Sequence, residues 1–506
     1  MIDSTVQAAV ARESKAADAL ASLQRTCVCA SSPQINVSED IQIISTIDVL
    51  DNLVLGQNPN SVPFVNAVPN NILAGSQVPP GRNNSLSDSI TVKRAYARVT
   101  ALNEQLEFTF GRMPNHWGLG MMANSGDCLD CDFGDSVDRV AVSFNAANHI
   151  FTPMLDWVSN GPLAHPFGRS GGQPLDAATW DDVFQYSLRI NRIDHPEDIK
   201  EQLANHQWVT NYGAWFMWRK QARDLTSAFY TNADLDPNDT LDFSNGEPDE
   251  RRNGNLYTGN GYLQLYGGNL ELGIEGAIIA GSFRDRALPG DEVLGTGGDK
   301  SKVLMLGGAM ELKYHLSEDF KGTALYVKAG GASGDSAPGF GALDRADTQR
   351  GTFGGTKDRD LNNFQFSPDY HVDLLMFRRI VGTVTDAWYV SPGVFYQFDD
   401  RVNGSFWVTY SQAVLDESTA SCYADNFTLC HGSGRAGAGS KPMGLEFDAE
   451  LAYGIINSPK GGAFRAALAG GVLFPFGAFD NPTPASGESG NASFAWTLQT
   501  RFYVTY

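Results

Sequence analysis

The sequence predicts an all-β chain whose antiparallel strands run up and down around a barrel that spans a membrane. Three features carry that prediction. Residues 491–506 alternate, with Phe494, Trp496, Leu498, Phe502, Val504 and Tyr506 on one parity and Thr497, Gln499, Arg501 and Thr505 on the other. This is the period-2 pattern of a strand with one apolar and one wet face. Similar segments recur along the chain, joined alternately by short turns and long polar loops. Finally, no run of 18 apolar residues exists, which excludes helical spans but not a barrel, whose lipid face occupies only every second residue.

Taken in order, the first strand covers 41–50 and a loop rich in Asn, Pro and Gly runs to 88. A return strand over 90–100 turns at 102–104 into 105–111, where Leu106, Phe108 and Phe110 oppose Gln105, Glu107 and Thr109. After a loop come 138–144 and 150–157, and then 182–191, with Phe184, Tyr186, Leu188 and Ile190 outward and Gln185, Ser187, Arg189 and Asn191 inward. A helical turn at 196–204 leads to 208–219, which puts Trp208, Tyr212, Phe216 and Trp218 on the lipid parity. Hairpins follow at 256–266/270–280, 302–316/320–329, 388–398/402–411 and 445–455/464–474, the first through Gly267-Gly268-Asn269, a strong hairpin signal. With the last strand the count is about 16, an even number that leaves both barrel ends on the short-turn rim. One connection breaks the rule: 330–386 contains Leu374, Leu375, Met376, Phe377, Ile380 and Val381, too apolar for a surface loop. It is expected to fold inward, narrow the lumen and present Arg378 and Arg379 to water. The alternative reading makes it two further strands, for about 18.

Composition agrees. Of 506 residues 53 are Gly, 11% are aromatic and 19% charged, as suits a chain of many strands and turns. The net charge of −21 leaves no basic face for phosphates and excludes nucleic acid as a partner. Residues 1–38 stand apart from the barrel at 39–506: Val6, Ala9, Val10, Ala17, Leu20 and Leu23 suggest a weak amphipathic helix or a loose terminus. Charges interrupt 2–30, so no secretory leader is expected in the chain, which reads as a mature or trimmed form.

In a barrel the parity opposite the lipid lines water, so its charges become candidates for function. The basic ones are Arg94, Arg98, Arg465 and Arg501, expected to cluster because the two ends of the chain are neighbours in a closed ring. The acidic ones are Glu271, Glu275 and Glu311, with Glu446, Asp448 and Glu450 at alternate positions of one strand. Three such carboxylates would be intolerable in a dry core and cost little facing water. Six cysteines form close pairs; Cys128/Cys131 and Cys422/Cys430 lie in loops and are disulfide candidates, with zinc as a weaker rival at the former. Asp127, Asp130, Asp132 and Asp135 offer oxygen ligands for calcium, although their spacing is not that of an EF-hand; otherwise no cofactor is expected. Catalysis has no support: neither Gly-x-Ser-x-Gly nor His-Glu-x-x-His occurs, and His116 and His315 read as structural.

The architecture resembles porin-like barrels of Gram-negative outer membranes. So do the pieces Asp48-Val49-Leu50-Asp51-Asn52-Leu53-Val54-Leu55-Gly56, Gly111-Arg112-Met113-Pro114 with Trp117-Gly118-Leu119-Gly120, Pro368-Asp369-Tyr370, and the aromatic carboxy-terminal residue. The resemblance implies an integral outer-membrane protein with periplasmic turns and extracellular loops, surrounded by lipid and lipopolysaccharide. No specific substrate comes with it and no catalytic residues carry over; small hydrophilic solutes are the expected cargo of a channel of this kind. Homo-oligomers are common among such barrels, yet nothing in this sequence specifies an interface. Two functions stay open: a passive channel, or a structural or attachment barrel blocked by 330–386 whose long loops bind a partner.

Overall fold

The structure, a computed structural model, describes residues 26–31, 33–54, 90–103, 105–128, 130–161, 164–165, 175–176, 179–225, 249–284, 300–316, 322–336, 339–341, 360–422, 439–457, 463–482 and 490–505. Two short strands, β1 (Thr26–Ser31) and β2 (Gln34–Asn36), lie antiparallel along one edge of β3 (Ile41–Val54). From the other edge of β3 the ladder continues through β4 (Ile90–Ala101), β5 (Leu106–Pro114), β6 (Ser136–Ala146) and β7 (His149–Ser159). The pair β8 (Ala164–His165) and β9 (Leu175–Asp176) stands outside this sheet. The main sheet resumes with β10 (Val183–Arg192), which pairs with β7, and then helix α1 (Pro196–Ala204) connects to β11 (Val209–Leu225). Neighbour then follows neighbour: β12 (Asp249–Gly267), β13 (Leu270–Arg284), β14 (Lys300–His315), β15 (Ala324–Ala332), β16 (Ala387–Gln397), β17 (Val402–Ala413), β18 (Pro442–Asn457), β19 (Ala463–Pro475) and β20 (Ala495–Thr505).

Among the described residues the sheet has 18 strands, and setting aside the short β1 and β2 leaves 16 long ones, the number that the alternation predicts. Among the described residues, 333–386 therefore add no strand pair to the sheet. The amino-terminal boundary is corrected: among the described residues pairing starts at Thr26, inside the segment expected to lie apart from the barrel. The unpaired backbone edge of β3 gives Thr26–Ser31 and Gln34–Asn36 a ladder to join. The expected helix over 1–25 falls outside the described residues.

One rim is made by tight turns. Leu102 and Asn103, and again Ala147 and Asn148, have positive φ at both central positions, the geometry whose twist matches antiparallel strands. The opposite rim carries the long connections. Along the strands the outward parity is apolar and unpacked: Tyr186, Phe216, Ile278, Leu304, Leu468, Leu498 and Phe502 are all exposed, with Phe216 at 55% and Phe502 at 65%. The inward parity of β19 is Ala467, Ala469, Gly471 and Leu473, all buried. An apolar surface encircling a protein whose inside holds buried Glu446 and Asp448 is the reverse of a water-soluble fold.

Curvature follows from cross-sheet contacts. The connection 115–135 touches Arg94 on β4, Asn260 on β12, Glu275 on β13 and, through Asp130, Arg501 on β20. A single loop reaches strands at the ends and the middle of the ladder only if the sheet wraps around it. Among the described residues no ladder joins β20 to β1, β2 or β3, so the wrapping rests on these contacts.

Arginine at Leu468, exposed near the middle of β19, should cost about 2–4 kcal/mol of barrel stability, as a charge at hydrocarbon depth does. Urea unfolding in lipid vesicles measures it, and an unchanged midpoint would contradict the assigned parity.

Candidate functional site

Two connections from the long-loop rim fold into the lumen. The first, 115–135, leaves β5 past Gly111, whose φ of +120° and close approach to the Ala95 carbonyl exclude a side chain. Trp117 is then sunk into the wall, its indole N–H donating to Asn260 Oδ1 at 2.9 Å and its ring meeting Trp215 and Tyr262. Gly118 and Gly120, both at positive φ, turn the backbone so that several amides point at one wall carboxylate. Glu275 accepts the N–H groups of Leu119 at 2.8 Å, Met121 at 3.2 Å and Met122 at 3.4 Å, with the Asn260 amide at 2.9 Å. A side chain at Gly118 would collide with that carboxylate. Further along, Arg94 donates to Asp127 Oδ1 at 2.8 Å and to the Ser125 carbonyl, and a disulfide joins Cys128 to Cys131.

The second connection, described over 360–386, repeats the device. Leu361 bridges to Val303, and Phe364, Phe366, Val372, Leu375, Met376 and Phe377 pack onto small wall residues including Ala277, Ala309, Ala332 and Ala387. Where the loop makes one wide π-helical turn, Met376–Val381, Glu446 accepts the N–H groups of Leu374 at 3.1 Å, Leu375 at 2.7 Å and Met376 at 2.8 Å. Asp448 takes Leu374 N–H at 3.3 Å, and Asp373 caps the turn by accepting from Phe377 and Arg378. Burial, with Glu446 facing it, pushes the Asp373 carboxyl well above the usual range. A further carboxylate, Asp369, ties the two loops together by accepting from Asp132, Phe133 and Gly134 at 2.9, 3.1 and 2.6 Å. An Arg378–Asp130 ion pair at 2.6 Å adds to this, and Arg501 reaches the same Asp130 oxygen at 3.1 Å. Burial raises the Asp130 carboxyl, but the bond and charge of Arg378 outweigh it and hold it below its ordinary value.

These placements correct several expectations. Glu275, Glu446 and Asp448 point inward but do not face water: they are 1%, 0% and 5% exposed beneath the loops whose amides they hold. The four arginines do not form a basic patch. Arg94 is buried on Asp127, Arg98 pairs with Glu107 at 3.4 Å, Arg501 lies between Asp130 and Glu450, and Arg465 is exposed. The Arg378 side chain is only 7% exposed and committed to Asp130, whereas Arg379 is exposed. Nor do the four aspartates converge as a calcium cage, because Asp127 and Asp130 are engaged by arginines and Asp135 by the Asn124 N–H. Cys422 is disulfide-bonded, and Cys430 lies outside the described residues.

The remaining acids do meet open space. Glu271, Glu311 and Glu450 line a cavity of about 430 Å³ between the wall and Leu119 of the first loop, alongside Lys313 and Lys328. Lys313 pairs with Glu271 at 3.3 Å, and Lys328 lies over the Trp407 ring and donates to the His371 carbonyl at 3.2 Å. Elsewhere on the wall, on β6, β7 and β10, stand further polar groups, of which alternation placed Gln185 and Arg189 inward without giving them a role. Arg139 and Asp156 form a buried pair at 2.6 Å, joined by Gln185, and Arg189 stacks 4.0 Å over Trp215 while donating to Asn115.

Glu446→Ala should accelerate hydrogen exchange at the Leu375 and Met376 amides roughly 10- to 100-fold, the effect of orphaning buried N–H groups. Unchanged exchange would remove the proposed role of that carboxylate. Asp386, just before β16, accepts from Leu415 N–H and the Ser418 hydroxyl, and burial pushes it up to about 7. A carboxyl raised in the folded state contributes stability below its ordinary pKa and loses it as pH rises through about 7. Exchange at Leu415 should therefore quicken across that window after correction for intrinsic rates, and Asp386→Asn should flatten the response.

No family model and no curated protein matches the sequence. Among solved structures the chain is similar to Pseudomonas aeruginosa OccK1 (OpdK), at 13% identity and a TM-score of 0.40, covering 92% of this chain and 86% of that one. It is similar also to Pseudomonas aeruginosa OccK11 (OpdR), at 11% and 0.39, covering 94% and 92%. The outer membrane channel DcaP of Acinetobacter baumannii matches at 10% and 0.33, covering 95% and 85%. By its own geometry the chain is an up-and-down, membrane-spanning β-barrel with two loops held in its lumen.

Proposed function

We propose that this protein is an outer-membrane channel for the passive diffusion of small hydrophilic solutes, with 115–135 and 360–386 as its constriction. The observation that carries the reading is the charged cavity of about 430 Å³ between loop and wall, inside a barrel whose outer face is apolar. Acids and lysines gathered around one cavity, partly paired with each other, favour polar over apolar solutes and screen either sign of charge in part. A second reading, a blocked barrel whose surface loops bind a partner, draws on the apolar packing of the inward loops against Ala277, Ala309, Ala387 and Leu473.

Single-channel recording in planar bilayers separates the two. The channel reading expects well-defined conductance steps, enlarged when 369–379 are deleted and the wall carboxylates are left facing water. A correctly inserted protein that stays silent, and opens only on that deletion, supports the blocked barrel.

A further inference from the structure

We propose that Cys128, Cys131 and His371 form a redox-gated site for a soft divalent cation of the zinc class, which when loaded staples the two constriction loops together. The two sulfurs and an imidazole nitrogen lie within 4.8 Å of one another, and among the described residues no other group of three His, Cys, Asp or Glu is gathered this way. Cys-x-x-Cys supplies the sequence spacing of zinc-binding cysteine pairs, and the third donor comes from the other loop, far along the chain. The donors are positioned independently of any ion. Asp369, two residues before His371, holds the amides of Asp132, Phe133 and Gly134, which directly follow Cys131.

The structure contains the disulfide form, in which both sulfurs are bonded to each other and are poor ligands. Cys128 is exposed and open to attack, while Cys131 is 8% exposed on the sheltered side. A dithiol reductant breaks the S–S bond: two electrons and two protons pass to the sulfurs, and the reductant leaves as its own disulfide. The cation then displaces two thiol protons and binds both thiolates and the neutral imidazole, with solvent in the fourth position. Metal–sulfur bonds of about 2.3 Å and metal–nitrogen bonds of about 2.0 Å put tetrahedral donors about 3.5 Å apart, so the loops need close by only about 1 Å. Thiolate donors select zinc-class ions over calcium or magnesium, which the dispersed aspartates nearby do not gather.

The test uses the full-length barrel in detergent, reduced with a phosphine, freed of it, and titrated with Co2+ and then Zn2+. A chain with Cys128→Ser and Cys131→Ser provides the baseline for the other cysteines. The expected result is a single additional Co2+ per chain with sulfur-to-cobalt charge-transfer absorption, displaced by Zn2+ and missing from the oxidised protein. His371→Ala should weaken that binding roughly tenfold or more, and His116→Ala should not. Heat-modifiable gel mobility reports whether the barrel stays folded; should His371→Ala alter it, the size-matched His371→Gln is judged by the same criterion. The proposal is overturned if the reduced, folded chain takes up no cobalt beyond the baseline, if the oxidised chain binds equally, or if affinity survives loss of the imidazole. The readout is metal stoichiometry, so it stands apart from whether the lumen conducts.

Discussion

A wall carboxylate accepting consecutive backbone amides is the interaction on which the lumen depends. An irregular loop at membrane depth exposes N–H groups that neither lipid nor a regular ladder can satisfy, and each orphan costs on the order of 1–3 kcal/mol. A lone carboxylate buried in the wall is costlier still. Glu275 with the amides of Leu119, Met121 and Met122, and Glu446 with those of Leu374, Leu375 and Met376, cancel both penalties at once through charge-assisted bonds. Either partner alone would be a defect. Asp369 uses the same chemistry between the loops, so the two inward loops form one body fixed to β13 and β18.

Apolar packing completes what those bonds direct. The wall opposite the second loop is built from small residues, Ala277, Ala309, Ala332, Ala387 and Ala413, and the loop answers with Phe364, Phe366, Met376 and Phe377. At Gly307 a β-carbon would collide with the Phe364 ring, so glycine in the middle of β14 serves a loop that crosses it. Space left empty by the wall is thus filled by the loop. The remaining lumen divides accordingly into covered carboxylates and a water-lined cavity carrying Glu271, Glu311 and Glu450.

Much of the barrel was legible because strand parity is a local property. Alternation at Gln105–Phe110 or Phe494–Phe502 states which face is wet without reference to any other strand, and Asn103, Asn148 and Gly268 mark the positive-φ turns, although Leu102 and Ala147 beside them carry no such mark. The inward course of 372–381 was legible for the same reason, since its apolar run has no place in water. The roles of Glu446 and Asp448 were not, because their partners are backbone amides some 70 residues away, and backbone amides leave no mark in a sequence. Parity told inward from outward but not open from covered. Likewise Arg378 was read by its charge, whereas its partner Asp130 belongs to a loop that only folding brings near.

Accessibility of the second loop to an aqueous thiol reagent tests the central claim most directly. Met376 is 0% exposed beneath the Glu446 grip, and Arg379, three residues on, is exposed. With the unsubstituted chain as background, Arg379→Cys should label readily and Met376→Cys should resist until Glu446 is replaced by alanine. Equal labelling of both positions in the otherwise native barrel would mean that the wall carboxylates do not hold this loop in the lumen, and the account would fail.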